Sequence, residues 1–157
     1  MLNFVVSMVR NEVLVSAICS WVLAQVVKTI IHLFATKKFV PERLIGSGGM
    51  PSCHSAAMCG LTTSLLIHPD YGISSPVTAI ACVMSVVVMY DAMSVRRVTG
   101  LQSTVLNQMM EDYRKAGKEE LAQEKLKEFI GHSPIQVLVG ALLGIAFALF
   151  YCLVVIR

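Results

Sequence analysis

Long apolar runs constrain the fold of this chain more than any other feature of its sequence. The first extends from Val13 to Phe34, 22 residues, whereas a helix needs about 20 apolar residues to cross the hydrocarbon core of a bilayer. Three further runs cover roughly residues 53–67, 76–93 and 135–156. The mean hydropathy is +0.69, and only 15% of the residues are charged. We therefore expect an all-α polytopic membrane helix bundle, with about four spans in a single domain over residues 1–157.

The basic residues are distributed unevenly between the apolar runs. The loop at 35–53 holds three Lys or Arg residues, the segment at 94–134 holds seven, and the turn at 68–75 holds none. Because loops rich in Lys and Arg stay in the cytoplasm, both basic segments are predicted to face it. The polar part, 101–130, is predicted to be a cytoplasmic insert, either an amphipathic helix or a helical hairpin. These features predict an integral membrane protein, with its functional residues at the cytoplasmic face.

A glycine-rich turn precedes the second apolar run, at residues 48–56. Glycines tolerate backbone conformations that other residues avoid, and Pro51 suits the first turn of a helix. Ser52 is a plausible helix cap, and the free N–H groups of such a helix start attract anions. His54 beside such a start points to phosphate chemistry. The alternative is a plain Gly-Pro turn with a capping serine and an incidental histidine.

Lys28 lies inside the first apolar run, on the same predicted helix face as Gln25 and His32. A charged residue inside a membrane span is costly and is by default a candidate functional residue. The alternative is that the lysine side chain reaches the membrane surface, since Lys28 lies less than two turns from the end of the run. The functional interpretation is favoured.

Three segments together resemble the divergent branch of the superfamily of type 2 phosphatidic acid phosphatases and vanadium haloperoxidases, as a bacterial membrane member. They are GGMPSCHSA, MYDAMSVRRVTGLQ and GHSPIQVLVG, at residues 48–56, 89–102 and 131–140. The superfamily's P-S-x-H motif matches Pro51, Ser52 and His54.

The superfamily's last motif is similar to two separated stretches of this chain. Arg96 and Gly100 keep the spacing of its first half, but Gln102 stands where a histidine would follow. His132 and Gly140 keep the spacing of its second half, with Gln136 in place of the expected aspartate. The insert at 101–130 would lie between the halves.

The resemblance implies catalysis of phosphoryl transfer without a metal or another cofactor. In the superfamily the late histidine attacks phosphorus, and the histidine of P-S-x-H protonates the leaving oxygen. By position, His132 is then the nucleophile and His54 the general acid. The phosphate ligands carried over are Ser52, the backbone N–H groups near Gly49, and Arg96, with Arg97 beside it.

Two residues that the superfamily pattern expects are missing from this chain, so other residues must take their roles. Gln136 is not a carboxylate, and Asp91 is the nearest residue of that type. We hypothesise that Asp91 pairs with His132 or with an arginine of the site. The superfamily's first motif, a lysine followed by Arg-Pro, is missing. Lys28, Lys37 and Arg43 are candidates for its lysine, and a buried Lys28 is favoured because it requires an anionic partner.

The sequence thus predicts a membrane-embedded lipid phosphate or lipid diphosphate phosphatase, with a role in phospholipid metabolism. The alternative is a non-catalytic protein that binds or translocates lipid phosphates. Expected partners are the lipid phosphate and membrane lipids, with no nucleic acid, because the net charge of +3 is small and its basic residues form no stripe. Gly140 and Gly144 form a GxxxG pattern, which indicates close helix packing and a possible homo-oligomer.

Overall fold

A computed structural model describes residues 2–37, 48–116, 126 and 131–155 of the chain. Every regular element in these ranges is a helix, which confirms the all-α prediction. The elements are α1 (Leu2–Val9), α2 (Glu12–Thr36), α3 (Cys53–Ile67), α4 (Pro76–Met93), α5 (Val95–Lys115) and α6 (Pro134–Phe150), and α6 ends in a π-helical turn (Tyr151–Val155).

Three helical stretches of the described chain are long and apolar enough to cross a membrane. They are Glu12–Thr36, the continuous Pro76–Lys115 and Pro134–Val155. Helix α3 is apolar but has only 15 residues, so it extends about 22 Å at 1.5 Å per residue. The prediction of a membrane helix bundle is confirmed, with three long helices and one short one.

Helix α3 is the centre of the bundle, and it packs against α2, α4 and α6. Glycine allows the closest approach between α3 and α6. A Cβ at Gly140 would collide with the backbone of Ser52, and one at Gly144 with the backbone of Ala56. The GxxxG pattern therefore packs α6 onto α3 within one chain. It gives no support to the expected homo-oligomer, because this helix face is already covered.

The helix starts follow the chemistry of capping. The Asn11 side chain caps α2 by accepting a hydrogen bond from the Leu14 N–H at 3.0 Å. Ser133 caps α6, and Gln136 completes a capping box with it. Polar side chains thus satisfy N–H groups that would otherwise have no partner at the helix starts.

Helix α5 begins before the polar insert predicted at 101–130. It starts at Val95, directly after α4, so Arg96 and Arg97 lie on its first turn. The Asn107 side chain exchanges two hydrogen bonds of 2.9 Å with the backbone of Leu126. Leu126 therefore lies beside α5. Residues 117–125 and 127–130 of the predicted insert lie outside the described residues.

Candidate active site

A cavity of about 270 Å³ lies where four helix ends meet. We call it the histidine cavity. Its walls come from the start of α3, the end of α4, the first turn of α5 and the turn before α6. The described residues that line it are His54, Val87, Val88, Asp91, Ala92, Arg96, Gly131 and His132. The lining thus combines apolar side chains with two imidazoles, a carboxylate and a guanidinium.

His132 is fixed to the ends of two other helices. Its backbone N–H donates to the Ala92 carbonyl at 3.0 Å, at the end of α4. Gly131 precedes it with φ of 95°, and a Cβ there would collide with the backbone of Arg96 and Arg97. Glycine is required at this position for both reasons. The His132 side chain is consequently held inside the bundle, with 3% of its surface exposed.

Gln136 contacts the His132 ring from the first turn of α6. Its Oε1 atom lies 3.3 Å from His132 Nδ1 and accepts a hydrogen bond of 3.1 Å from the Ser133 N–H. This glutamine occupies the position at which the superfamily pattern expects an aspartate. Its contact with the ring was not predicted from the sequence. The local signal was the spacing Ser133-x-x-Gln136, which is that of a capping box.

The glycine-rich turn brings His54 to the same cavity. Gly48 and Gly49 have φ of 94° and 82°, in the left-handed region that favours glycine, and the Met50–Pro51 peptide bond is cis. The Ser52 N–H then donates to the Gln136 carbonyl at 3.0 Å, which ties the start of α3 to the start of α6. The prediction of a glycine turn leading into a helix is confirmed.

Ser52 caps α3, as predicted. Its hydroxyl oxygen accepts hydrogen bonds from the Ser55 N–H at 3.4 Å and from the Ser55 hydroxyl at 3.0 Å. The side chain is fully buried and does not line the histidine cavity. The geometry therefore supports a structural role for the Ser52 hydroxyl and gives no support to its predicted role as a phosphate ligand.

Asp91 pairs with Arg96 across the junction between α4 and α5. The Arg96 Nε atom donates to Asp91 Oδ2 at 2.6 Å, and both side chains are about half exposed. Of the two partners hypothesised for Asp91, the structure thus contains the arginine. Both residues line the cavity beside His132. Arg97, the next residue, has an exposed side chain that does not line the cavity.

Lys28 is buried in the middle of the bundle, with 2% of its surface exposed. Its Nζ atom lies 3.8 Å from Cys53 Sγ, which in turn lies 3.7 Å from His54 Nδ1. The alternative that this side chain reaches the membrane surface is wrong. Cys53 occupies the variable position of P-S-x-H, and the contact of its thiol with both Lys28 and His54 was not predicted from the sequence.

Of the other two candidates for the missing lysine, the structure describes only Lys37. Lys37 is exposed and ends α2 in the left-handed conformation, with φ of 55°. Arg43 lies outside the described residues. Lys28 therefore remains the candidate that the geometry favours.

Burial lowers the pKa of His132 below the ordinary value of 6.5, because desolvation disfavours the charged imidazolium. The hydrogen bond with Gln136 acts in the opposite direction, the positive charges of Lys28 and His54 lower the pKa further, and the Gly49 backbone raises it. The net effect keeps the ring neutral near pH 7. A neutral imidazole has a free lone pair and is able to act as a nucleophile.

The part of the chain that the structure describes contains no candidate metal site. Nowhere in those residues do three or more His, Cys, Asp or Glu side chains cluster so as to hold an ion. The polar groups of the histidine cavity are instead suited to an anion. Arg96 supplies a fork of N–H donors, and Lys28 supplies a buried positive charge near both histidines.

Together the fold and the site define a polytopic helical membrane protein with a paired-histidine cavity at one end of its bundle. Residues 9–147 match the model of the divergent PAP2 family, and the chain belongs to that family. It is 36% identical over 152 residues to a Bacillus subtilis (strain 168) protein described as "Uncharacterized membrane protein YuiD", a match that covers 90% of this chain and 94% of that protein. No solved structure matches the chain.

Proposed function

We propose that this protein is a membrane-embedded phosphoric monoester hydrolase that acts on a lipid phosphate or lipid diphosphate. The observation that carries the proposal is the meeting of His54 and His132 in one cavity with Arg96. These residues come from three separate segments, and each matches the residue type that phosphoryl transfer requires. Membership of the divergent PAP2 family supports the same reaction class.

The proposed reaction has two steps. The neutral His132 imidazole attacks phosphorus, the bond from phosphorus to the lipid oxygen breaks, and protonated His54 gives its proton to that oxygen. Water then attacks the phosphohistidine while His54 accepts a proton from the water, which releases phosphate and restores His132. The net reaction consumes one water and produces a lipid alcohol and inorganic phosphate, or a lipid monophosphate and phosphate if the substrate is a diphosphate.

Charge in the transition state is stabilised from two sides of the cavity. Arg96 is proposed to bind the equatorial phosphoryl oxygens, and Asp91 holds its guanidinium through the bond of 2.6 Å. Lys28 adds positive charge from inside the bundle, next to Cys53. Backbone N–H groups near Gly49 complete the proposed phosphate site. The proposal assigns no metal or cofactor to this reaction.

The apolar wall of the cavity fits a substrate that stays in the bilayer. Val87 and Val88 lie on α4, and Val87 is more than half exposed on the helix surface. A lipid tail is able to remain beside this wall while its phosphate enters the cavity. The asymmetry of basic residues supports an orientation with the cavity at the cytoplasmic face of a bacterial plasma membrane.

A second candidate is a non-catalytic protein that binds or translocates lipid phosphates. The observation that favours it is the amide at Gln136, because a carboxylate is the usual partner of a histidine that becomes positively charged. Gln102 gives no help, since it lies on the exposed surface of α5. Phosphate binding without turnover would distinguish this candidate from the hydrolase.

The test is phosphate release from a panel of lipid phosphates by the purified protein in detergent. Phosphatidate, phosphatidylglycerophosphate and polyprenyl phosphates cover the main headgroups and tails. We expect release from one class, lost in His132→Ala and reduced about 100-fold or more in His54→Ala, since general acid catalysis contributes at least that factor. The matched control is His68→Ala, which changes a histidine at the opposite end of α3.

Full release by His132→Ala would refute the proposed nucleophile. No release from any lipid by the wild-type protein, with phosphate-dependent lipid binding that Arg96→Gln abolishes, would establish the binding protein instead.

A further inference from the structure

The hydrogen bonds of Gln136 determine which of its amide atoms faces His132. A backbone N–H can only donate, so the side-chain atom that Ser133 contacts at 3.1 Å must be the amide oxygen. The same oxygen lies 3.3 Å from His132 Nδ1. Because that oxygen only accepts, this contact favours the tautomer with the proton on Nδ1, in competition with the ring's hydrogen bond to the Gly49 backbone. The unprotonated nitrogen of a neutral His132 ring in that tautomer is Nε2.

We infer that Gln136 is the positioning residue of the nucleophile: its side-chain oxygen holds His132 in the tautomer that leaves Nε2 free to attack phosphorus. The inference rests on the proposed function. It assigns to an amide the orienting task for which the superfamily pattern has a carboxylate. The Gln136 backbone adds to this, because its carbonyl accepts from the Ser52 N–H at 3.0 Å and so fixes the start of the helix that carries His54.

An amide differs from a carboxylate in charge, and this difference is measurable. The charged and titratable groups near His132 are Lys28 on α2, His54 on α3, Asp91 on α4 and Arg96 on α5, and the Gly49 backbone also contacts the ring. Asp91 is paired with Arg96, so its negative charge is largely compensated. A neutral amide therefore leaves the imidazolium form of His132 with little stabilisation. A carboxylate in the same position would favour that form.

Two substitutions separate orientation from charge. Gln136→Met keeps the length of the side chain but removes the acceptor, so we expect kcat to fall about tenfold, the factor that loss of one hydrogen bond of ordinary strength gives. KM should change less than twofold. Gln136→Glu keeps the acceptor and should retain turnover, with the acidic limb of its pH–rate profile moved upward by about one pH unit or more.

Ser133→Ala is the matched control for helix capping. It removes the hydrogen bond of 3.4 Å between the Ser133 hydroxyl and the Gln136 N–H, but leaves the amide oxygen against the ring. If Gln136 matters only for the start of α6, Ser133→Ala will reproduce the loss of kcat in Gln136→Met. If Gln136 orients the ring, Ser133→Ala will retain wild-type kcat and the wild-type pH profile.

A spectroscopic measurement tests the inference without any turnover. In ¹⁵N-histidine spectra, the signals missing from His132→Ala identify His132. We expect the Nδ1–H tautomer in the wild-type protein and in Ser133→Ala, and a mixture of tautomers in Gln136→Met. An Nε2–H ring in the wild-type protein, or an unchanged tautomer in Gln136→Met, would overturn the inference. Absence of phosphatase activity would instead refute the proposed function, and the spectra would still decide the role of Gln136.

Discussion

Replacing Gly140 by alanine should damage both the fold and the histidine cavity, because of where the new methyl group points. The added Cβ would collide with the Ser52 carbonyl oxygen and lie 3.0 and 3.1 Å from the Ser52 N and C atoms. These are backbone atoms, so they cannot move away as a flexible side chain would. The strain falls on the residue that caps α3 and donates to the Gln136 carbonyl.

The magnitude follows from two effects. Overpacking of a tight contact costs about 1–3 kcal/mol, and loss of the hydrogen bond between Ser52 and Gln136 costs about 1 kcal/mol. The free energy of unfolding should therefore fall by about 2–4 kcal/mol. For a chain of this size, that loss lowers Tm in detergent by about 5–15 °C. Because α3 carries His54, phosphate release should also fall about tenfold or more at temperatures where the variant is folded.

Two control variants make the comparison specific. Ala146→Leu adds a larger group to the same helix at an exposed position and should leave Tm unchanged. Gly144→Ala collides with the Ala56 backbone one turn deeper in the bundle, so it should lower Tm but reduce activity less. A Gly140→Ala protein as stable as Ala146→Leu, or with full activity, would refute the packing that we describe between α3 and α6.

Three further predictions concern the charges around the cavity. Asp91→Asn should reduce kcat for a saturating lipid phosphate about tenfold, because Arg96 loses the charge-assisted bond that orients it; unchanged turnover would remove Asp91 from the site. The pKa of His132 is lowered from 6.5, and the nucleophile must be unprotonated, so kcat/KM should not begin to decline until the pH falls below 6.5; a decline that begins above pH 7, as the pH is lowered, would contradict the assignment. Lys28→Met should raise KM about tenfold, because the proposed phosphate site loses a positive charge, and should not lower Tm, because that charge is costly to bury. The exposed Lys37→Met should change neither quantity, and equal effects in both variants would exclude a specific role for Lys28.

Much of the fold follows from the sequence, because the length of an apolar run and the residues that begin and end a helix are local properties of the chain. The expected run Val13–Phe34 lies within α2, and the expected bounds 76–93 coincide with those of α4. The start of α5 at Val95 was missed because nothing in the sequence separates it from the polar stretch at 101–130. Ser94 at that junction makes no side-chain capping bond that would mark the boundary.

The site was predictable in its residue types but less so in its geometry. The resemblance selected His54, His132 and Arg96 and added Arg97 as the neighbour of Arg96, although neighbouring residues on a helix point about 100° apart. The rotation of α5 about its own axis places Arg96 in the lining of the cavity and leaves Arg97 outside it, with an exposed side chain. Burial of Lys28 likewise depends on how α3 packs against α2, and such packing arises between segments distant in sequence.

The most direct test of His132 as the nucleophile is rapid-quench labelling with a lipid whose phosphate carries ³²P. We predict that label is transferred to the wild-type protein during turnover, in a bond that is stable to alkali and labile to acid, as expected for phosphohistidine. His132→Ala should acquire no label, while His68→Ala should be labelled like the wild type. Turnover of the lipid without any labelled protein, or label that persists in His132→Ala, would contradict the assignment of His132.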